Sequence, residues 1–349
     1  MLNCCAQHDA DEFANFVALV INFNTSHLTV KCVDSLLATG LRHIFVLDNA
    51  SRSEDVGYLR TVLGDYGTAV QLIESPHNHG FAAGSNLLID LALQDASIRF
   101  VLLLNNDAVA LPLGMAVMLR TALESSADLV GGRMLAQRAG EDDLPVDSLG
   151  IAMYRSLLAS NRKNTDERFL GPTGGCAIYS RGLLETLSHL HGYVFDPDYF
   201  CYAEDTDLCI RSRLLGYAAH YVDTPVAVHD GQASSGGGFS DFVYYHGIRN
   251  SIWTIFKSLP TNTILRYFPW LLALHLGIML RHSWRGKGKL TWTLYRDALR
   301  GLPKMWRKRK IVQGSCSIPT PRFNDFITPR FYENAYLKMA LRELLAWRK

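Results

Sequence analysis

The feature that most constrains this chain is an alternation: short apolar runs ending in polar side chains, separated by stretches with helical spacing. Phe16 to Phe23 is such a run, and it stops at Asn22, Phe23 and Asn24, which predicts a buried strand. His27 to Ala38 carries Leu28, Cys32, Leu36 and Leu37 at helical intervals and stops at Gly40. His43 to Leu47 is a second run, ending in Asp48, Asn49, Ala50 and Ser51. Val70 to Ile73, Ala83 to Leu93 and Phe100 to Leu104 repeat strand, helix, strand, and the last run ends in Asn105, Asn106 and Asp107. A chain written this way folds as βαβ units around a mainly parallel sheet. Ligands of such sheets bind beyond the carboxyl ends of the strands, so Asn22, Asp48 and Asp107 are expected along one rim. The pattern predicts one α/β domain over residues 14–240, without internal repeats.

Charge divides the chain at the same place. Residues 241–349 hold 20 Lys and Arg against 5 Asp and Glu, a net +15, which leaves −13 for residues 1–240. An acidic body suits carboxylate and metal chemistry, and a basic tail suits an anionic surface. After Gly236, Gly237 and Gly238 the texture becomes aromatic and basic, with Tyr244, Tyr245, Arg249, Trp253 and Phe256 on an expected helix. Tyr267 to Leu280 is apolar between Arg266 and Arg281 but shorter than the ~20 residues that span a bilayer, so no crossing is expected. His282 to Lys310 interleaves Trp284, Trp292, Tyr295 and Trp306 with Lys and Arg, which suits helices lying at headgroup level. Residues 241–349 are therefore expected to be a helical, basic region at a membrane surface. The cysteines, at 4, 5, 32, 176, 201, 209 and 316, show no paired C-x-x-C spacing, so neither a disulfide framework nor a zinc site is indicated. Asp9, Asp11 and Glu12 stand where a signal peptide needs positive charge, which points to a cytoplasmic protein.

Four constellations carry chemistry. In FDPDYFCYAEDTDLCIRSRLLG, residues 195–216, Glu204, Asp205 and Asp207 crowd before an amphipathic stretch. Helix capping accounts for one or two carboxylates there better than for three, and a positioned carboxylate is what takes a proton from a hydroxyl nucleophile. In LLLNNDAVA, Asp107 leaves an apolar strand; it is either a turn former or a hard ligand for Mg²⁺ or Mn²⁺ beside a diphosphate. In PHNHGFAAGSN, residues 76–86, Gly80 and Gly84 bracket a turn opening a helix, followed by Ser85 and Asn86; such turns offer N–H groups to anions, though the pattern is weak alone. His229 ends an expected strand before Asp230 and a Ser and Gly run that is expected to move and close over a ligand, and a neutral imidazole there is a competent metal ligand. His77, His79 and His246 have no comparable setting.

Taken in order, VINFN, LDNAS, NHGFAAGSN, LLLNNDAVA, GPTGGCAIYSR, FDPDYFCYAEDTDLCIRSRLLGY, VHDGQASSG and YYHGIRN resemble family 2 glycosyltransferases of GT-A fold, in the rhamnosyltransferase-like branch that acts on cell-surface polysaccharides. The resemblance covers residues 16–260. It implies a GT-A fold with a mainly parallel mixed sheet, and an inverting transfer. It places Asn22, Asp48, the Gly80, Gly84 and Asn86 loop, Asn106, Gly174 and Gly175 around a nucleotide-diphosphate sugar, with the two glycines and Cys176 as the floor beneath the sugar. Asp107 and His229 would hold Mg²⁺ or Mn²⁺; Asn105-Asn106-Asp107 stands where the family's D-x-D motif is expected, leaving one acidic ligand where some relatives have two. Asp205 matches the catalytic base and Glu204 its neighbour on the acceptor. The resemblance further implies dTDP-L-rhamnose as donor, and a polysaccharide or undecaprenyl-diphosphate-linked glycan as acceptor in O-antigen or capsule synthesis. Its seat would be peripheral, on the cytoplasmic face of the inner membrane.

Two other classes compete. A nucleotidyltransferase needs an early glycine-rich, basic triphosphate loop, which VINFNTSHLTVKC lacks. A degenerate sugar-nucleotide or nucleic-acid binding module would draw on the weakened metal motif or the basic tail; the ordered series of site motifs argues against it, and no nucleic-acid partner is expected.

Overall fold

Strands buried on both faces must be apolar on both faces, and the first and fourth strands meet that demand residue by residue. The structure, a computed structural model, describes residues 12–137, 144–230, 240–334, 337–338 and 342. In β1 (Phe16–Asn22), Val17 and Leu19 enter one core and Phe16, Ala18 and Val20 the other. The chain continues through α1 (Ser26–Ala38), β2 (Ile44–Asn49), α2 (Ser53–Gly64), β3 (Val70–Ser75), α3 (Gly80–Ala92), β4 (Phe100–Leu104), β5 (Ala108–Ala110) and α4 (Pro112–Glu124). Val101 and Leu103 of β4 face one core, Phe100, Leu102 and Leu104 the other. Such period-two division is how a parallel sheet covered by helices on both sides is written.

Then follow β6 (Leu129–Ala136), β7 (Val146–Ser148), β8 (Ile151–Tyr154), β9 (Ala159–Asn161), β10 (Cys176–Ser180), α5 (Arg181–His191), α6 (Glu204–Leu214) and β11 (Ala219–His229). Among the described residues the main sheet has nine strands in the order β3-β2-β1-β4-β10-β6-β11-β5, with β7 on β6. β1 pairs in parallel with β2 and β4, β2 with β3, and β6 with β11, whereas β10 runs antiparallel between β4 and β6. Helices α1, α2 and α4 cover one face; α3, α5 and α6 cover the other. The expected mixed α/β fold is present, and the carboxyl ends of β1, β2 and β4 lie side by side.

The C-terminal region is helical: α7 (Asp241–Ser258), α8 (Thr261–His282), α9 (Gly288–Gly314), then the short α10 (Thr320–Asn324) and β12 (Ile327–Thr328). It shares the core of the body, because Ile255, Leu259, Val312, Phe323 and Ile327 pack into the same cluster as β1 and β4, and β12 pairs with β8. α8 is 22 residues long and begins at Thr261, well before the apolar stretch at Tyr267; by length and composition the helical stretch from Thr261 is sufficient to cross a membrane, with 17% of its apolar window buried. A five-residue π turn, Ser283–Lys287, with Gly286 at φ 76°, separates α8 from α9. α3 likewise starts earlier than the spacing predicts, at Gly80, whose N–H donates to the Asn78 side chain of the preceding turn at 2.8 Å. The Ser and Gly run after Asp230, expected to move, lies outside the described residues.

Candidate active site

The strand ends form the first half of the site. Asn22 and Asp48 are register partners at the ends of β1 and β2. Asn22 donates from Nδ2 to Asp48 Oδ1 at 2.9 Å and to Ser51 Oγ at 3.0 Å, and the second Asp48 oxygen accepts from the Ser51 N–H at 3.1 Å. Thr29 of α1 donates to Asn22 Oδ1 at 2.7 Å, and Asn106 donates to Thr29 and Thr25 hydroxyls at 2.9 and 2.7 Å. Asn22, Asp48 and Asn106 are thus joined in one buried polar network. Sequence reasoning missed its hydroxyl members, Thr25, Thr29 and Ser51; the signal was their closeness to the strand ends.

The glycines of the 76–86 loop serve packing. A Cβ on Gly80, whose φ is 67°, would lie 2.4 Å from the Phe200 carbonyl oxygen, and one on Gly84 would lie 3.1 Å from Leu47 and 3.3 Å from Ile21. Gly84 therefore lets α3 press on β1 and β2, and Gly80 leaves room for the turn before α6. Asn86, expected with the nucleotide, commits both amide atoms to Phe195, donating to its carbonyl at 2.7 Å and accepting from its N–H at 2.9 Å. Its work in this fold is to hold the start of the 195–203 segment.

Asp107 and His229 meet, the juxtaposition that the resemblance implied. His229 Nε2 lies 3.1 Å from Asp107 Oδ1, and Nδ1 lies 2.8 Å from Asp147 Oδ2. Burial alone would lower the His229 pKa, but hydrogen bonds to Asp107 and Asp147 outweigh it and raise it to about 10. The donor set suits a hard cation. Two ligand atoms about 2.1 Å from an octahedral ion and at right angles are about 3.0 Å apart, so Asp107 and His229 stand at the separation that neighbouring ligands need. As it stands the imidazole donates from both nitrogens to carboxylates; a cation arriving beside Asp107 would displace the Nε2 proton, and Asp147 would keep the proton on Nδ1 and so leave the Nε2 lone pair to the ion, as outer carboxylates do for ligating histidines. No group of three or more such side chains gathers among the described residues, so the remaining ligands would come from diphosphate and water. Asp147 was not legible in the sequence, since it lies 40 residues from Asp107 on a short strand of no distinctive pattern.

The second half of the site is the start of α6. Asp205 Oδ2 accepts from the Gly174 N–H at 3.0 Å and Oδ1 from the Thr206 N–H at 2.6 Å, with Thr173 Oγ1 3.5 Å away. Burial raises the Asp205 pKa, partly opposed by the Gly174 and Thr206 N–H groups. Glu204 is buried, its Oε2 has no hydrogen-bond partner among the described residues, and burial together with the Asp205 charge pushes its pKa well above the carboxylate range. Asp207, the third carboxylate of the motif, is structural: it accepts from Arg211 at 2.8 Å, Lys257 at 2.9 Å and Ser258 at 2.6 Å, all buried. Gly174 and Gly175 join the halves. The Gly175 carbonyl accepts from the Asn105 N–H at 3.0 Å while the Gly174 N–H holds Asp205, so one dipeptide separates the Asn105–Asp107 turn from the carboxylate.

The backbone before α6 is strained. Phe200, Tyr202 and Ala203 have φ of 65°, 69° and 67°, values that cost a non-glycine residue about 1–3 kcal/mol each. Strain of this kind persists where surrounding structure over-determines it, and it clusters at functional sites.

Comparison with known proteins agrees with this geometry. Residues 18–188 match the family described as Glycosyl transferase family 2. The hexosyltransferase Agl10 of low-salt glycan biosynthesis in Haloferax volcanii is 22% identical over 253 residues, 70% of this chain and 75% of that protein. The crystal structure of GalNAc-T7 with UDP, GalNAc and Mn²⁺ superposes with a TM-score of 0.60 at 13% identity over 92% of this chain, which spans only 56% of that one. S. aureus TarS 1–349 in complex with UDP-GlcNAc superposes with a TM-score of 0.54 at 15% identity, covering 86% of this chain and 89% of that one. The chain is a glycosyltransferase carrying a glycosyl transferase family 2 domain of GT-A fold.

Proposed function

We propose that this protein transfers a hexosyl group, with inversion, from a nucleotide-diphosphate sugar to a hydroxyl of a glycan acceptor in cell-surface glycan synthesis. The observation that carries the reading is the Gly174–Gly175 dipeptide, which holds Asp205 on one side and the Asn105–Asp107 turn on the other. An acceptor hydroxyl between these groups loses its proton to Asp205 as its oxygen bonds to the anomeric carbon. The bond from that carbon to the diphosphate oxygen breaks, and the nucleoside diphosphate leaves with the electron pair. A raised pKa makes Asp205 the stronger proton acceptor. Glu204, beside Asp205 and with an oxygen that has no partner among the described residues, is read as the group that orients the acceptor.

Asp107 and His229 would hold Mg²⁺ or Mn²⁺, which supplies charge neutralisation to the departing diphosphate. The Mn²⁺ beside UDP in GalNAc-T7 and the UDP-GlcNAc in TarS support a divalent metal and a nucleotide-sugar donor. The polar network of Asn22, Asp48 and Asn106 is read as the wall of the nucleotide pocket. The motif series favours dTDP-L-rhamnose as donor, and a polysaccharide or undecaprenyl-diphosphate-linked glycan as acceptor.

The reading extends to a peripheral seat on an anionic membrane surface, with residues 14–240 as catalytic body and 241–349 as the membrane-facing part. On α8, Leu265, Phe268, Leu272, Leu276 and Met279 recur at three- and four-residue intervals and are 39–66% exposed. On α9, Trp292, Leu299 and Trp306 recur every seven residues, all exposed, and Lys289, Arg300, Arg307 and Lys310 fall beside them at helical spacing. An exposed apolar stripe with Trp and basic flanks suits burial at headgroup depth. A full crossing would strip Leu274 and Ile278 of α8 from their cluster with Tyr154 and Leu158, which favours a seat on the surface.

A donor screen tests the function. Nucleoside-diphosphate release from dTDP-rhamnose and from UDP- and GDP-sugars is followed with membrane extract as acceptor, with Mg²⁺, Mn²⁺ or EDTA. Metal-dependent release is expected, falling about 10³-fold in Asp205→Asn with donor binding retained. A fully active Asp205→Asn protein would remove Asp205 from the role of base.

A further inference from the structure

The turn that delivers Asp205 is bent in a way its own sequence opposes, and the force that bends it comes from outside. Phe200, Tyr202 and Ala203 all sit in the left-handed region, with no glycine among them. Ala203, at φ 67° and ψ 1°, directly precedes Glu204, the first residue of α6, so the left-handed bend sets the direction in which the first turn of that helix points.

What holds the bend is Asn250 of α7. Its side chain is fully buried, and Nδ2 donates to the carbonyls of Tyr199 at 2.9 Å, Cys201 at 2.8 Å and Tyr202 at 2.8 Å. Arg249 fixes the orientation of the amide by donating from Nε to its Oδ1 at 2.9 Å, and reaches the Tyr199 carbonyl itself at 3.3 Å. The opposite side of the turn is pinned by α3, where the Ala82 N–H donates to the Phe200 carbonyl at 3.1 Å above the space that Gly80 leaves open. The turn is thus caught between the donor loop and the C-terminal helices. Carbonyls turned inward need a buried donor, and the two N–H bonds of one amide serve three of them here, one bond being shared between two.

We propose that Asn250 is a positioning residue for the transfer reaction: it holds the left-handed turn Phe200–Ala203 and thereby aims Asp205 at the acceptor hydroxyl. This rests on the reading of Asp205 as base. Asn250 lies 45 residues beyond Asp205, outside the catalytic motif, and acts through backbone carbonyls only. Its effect therefore falls on the chemical step and leaves the donor pocket of Asn22, Asp48 and Asn106 intact.

The test compares wild type, Asn250→Ala and the double variant Asn250→Ala with Ala203→Gly, in the full chain. In Asn250→Ala the kcat is expected to fall about 10²-fold while the donor KM stays within about twofold, the loss that a small misplacement of a reacting group produces. Glycine at 203 adopts the left-handed conformation without strain, so the double variant should recover about tenfold. Hydrogen exchange of amides 199–206 should quicken in Asn250→Ala and slow again in the double variant. A kcat within threefold of wild type in Asn250→Ala, a donor affinity that drops as far as kcat, or no recovery in the double variant would each overturn the proposal. A wild-type protein that transfers no sugar overturns the functional reading and the catalytic role with it; exchange then decides the clamp alone, and rates unchanged by Asn250→Ala would end that too.

Discussion

The two halves of the site are built by different means. The strand-end half, proposed for the donor, is a network of amides and hydroxyls, in which Asn22, Thr25, Thr29, Ser51 and Asn106 surround the single carboxylate of Asp48, all supplied by neighbouring strand ends and the helix between them. The acceptor side is held by ions and strain. Lys257, fully buried on α7, donates to Asp196 at 2.5 Å and to Asp207 at 2.9 Å, and Lys308 of α9 reaches Asp196 and, at 2.8 Å, Asp198. A network of amides and hydroxyls loses about 1 kcal/mol when one ordinary hydrogen bond goes, whereas a buried ion left alone is far more costly. The half proposed to receive the acceptor is the one fastened by the more demanding interactions, and the fasteners come from the C-terminal helices.

The largest effect should come from removing the central cation. Lys257→Met takes one of two cations from each of Asp196 and Asp207, leaving Lys308 on the first and Arg211 on the second; the half-compensated buried pair should cost about 3 kcal/mol in urea unfolding, the lower end for a broken buried ion pair, against about 1 kcal/mol for Thr29→Val in the other half of the site. Near-equal costs would erase the distinction between the two sides. The pH dependence carries the same sign. Burial by itself raises both carboxyls, but the cations beside them, Lys257 foremost, more than reverse this, so both titrate below the usual 3.8. The stability they contribute is complete above that value and is lost as pH falls through the folded pKa values, so the wild-type advantage over Lys257→Met should shrink below about pH 4.

The same division explains what could be read in advance. Strand ends announce themselves: an apolar run followed by Asn22, Asp48 or Asp107 marks the rim, because the run must be buried and the polar residue must stop it. Asp205 stands out in the sequence because three carboxylates at one helix start exceed what capping requires, and the structure places it against Gly174. Nothing local marks Asp147 or Lys257, and Asn250 closes the YYHGIRN motif without any sign of its task; the importance of the three comes from partners 82, 61 and 51 residues away. The left-handed turn was hidden for the same reason, since no glycine at 200, 202 or 203 signals it; the bend is imposed by tertiary contacts against local preference. Gly80 and Asn86 were legible as a loop, yet their contacts to Phe200 and Phe195 tie that loop to the acceptor side, a link that spacing does not encode.

His229 is where the donor side borrows the other side's method, since its imidazole stands between two carboxylates. Asp147→Ala frees Nδ1 and with it the choice of tautomer. Mn²⁺ affinity in the presence of nucleoside diphosphate should weaken about 10- to 100-fold, the usual effect of losing a carboxylate behind a ligating histidine. Titration calorimetry measures it without turnover, and an unchanged affinity would show that Asp107 and diphosphate carry the ion unaided.

The smallest effect lies on the outer face of the C-terminal helices, where α9 sets Arg307 beside Trp306. A basic residue near an anionic surface contributes about 1 kcal/mol to binding, roughly fivefold in affinity. Arg307→Gln should therefore reduce binding to vesicles containing phosphatidylglycerol by about that factor, and leave binding to neutral phosphatidylcholine vesicles as it was. Raised salt should shrink the difference, because an exposed charge is screened within about 10 Å at 0.1 M. Equal binding of the wild type to neutral and anionic vesicles would assign the seat to the apolar stripe of α8 alone. The comparison then becomes sharper still: buried charge on the inner face of these helices fastens the acceptor side, and exposed charge on their outer face plays no part in docking.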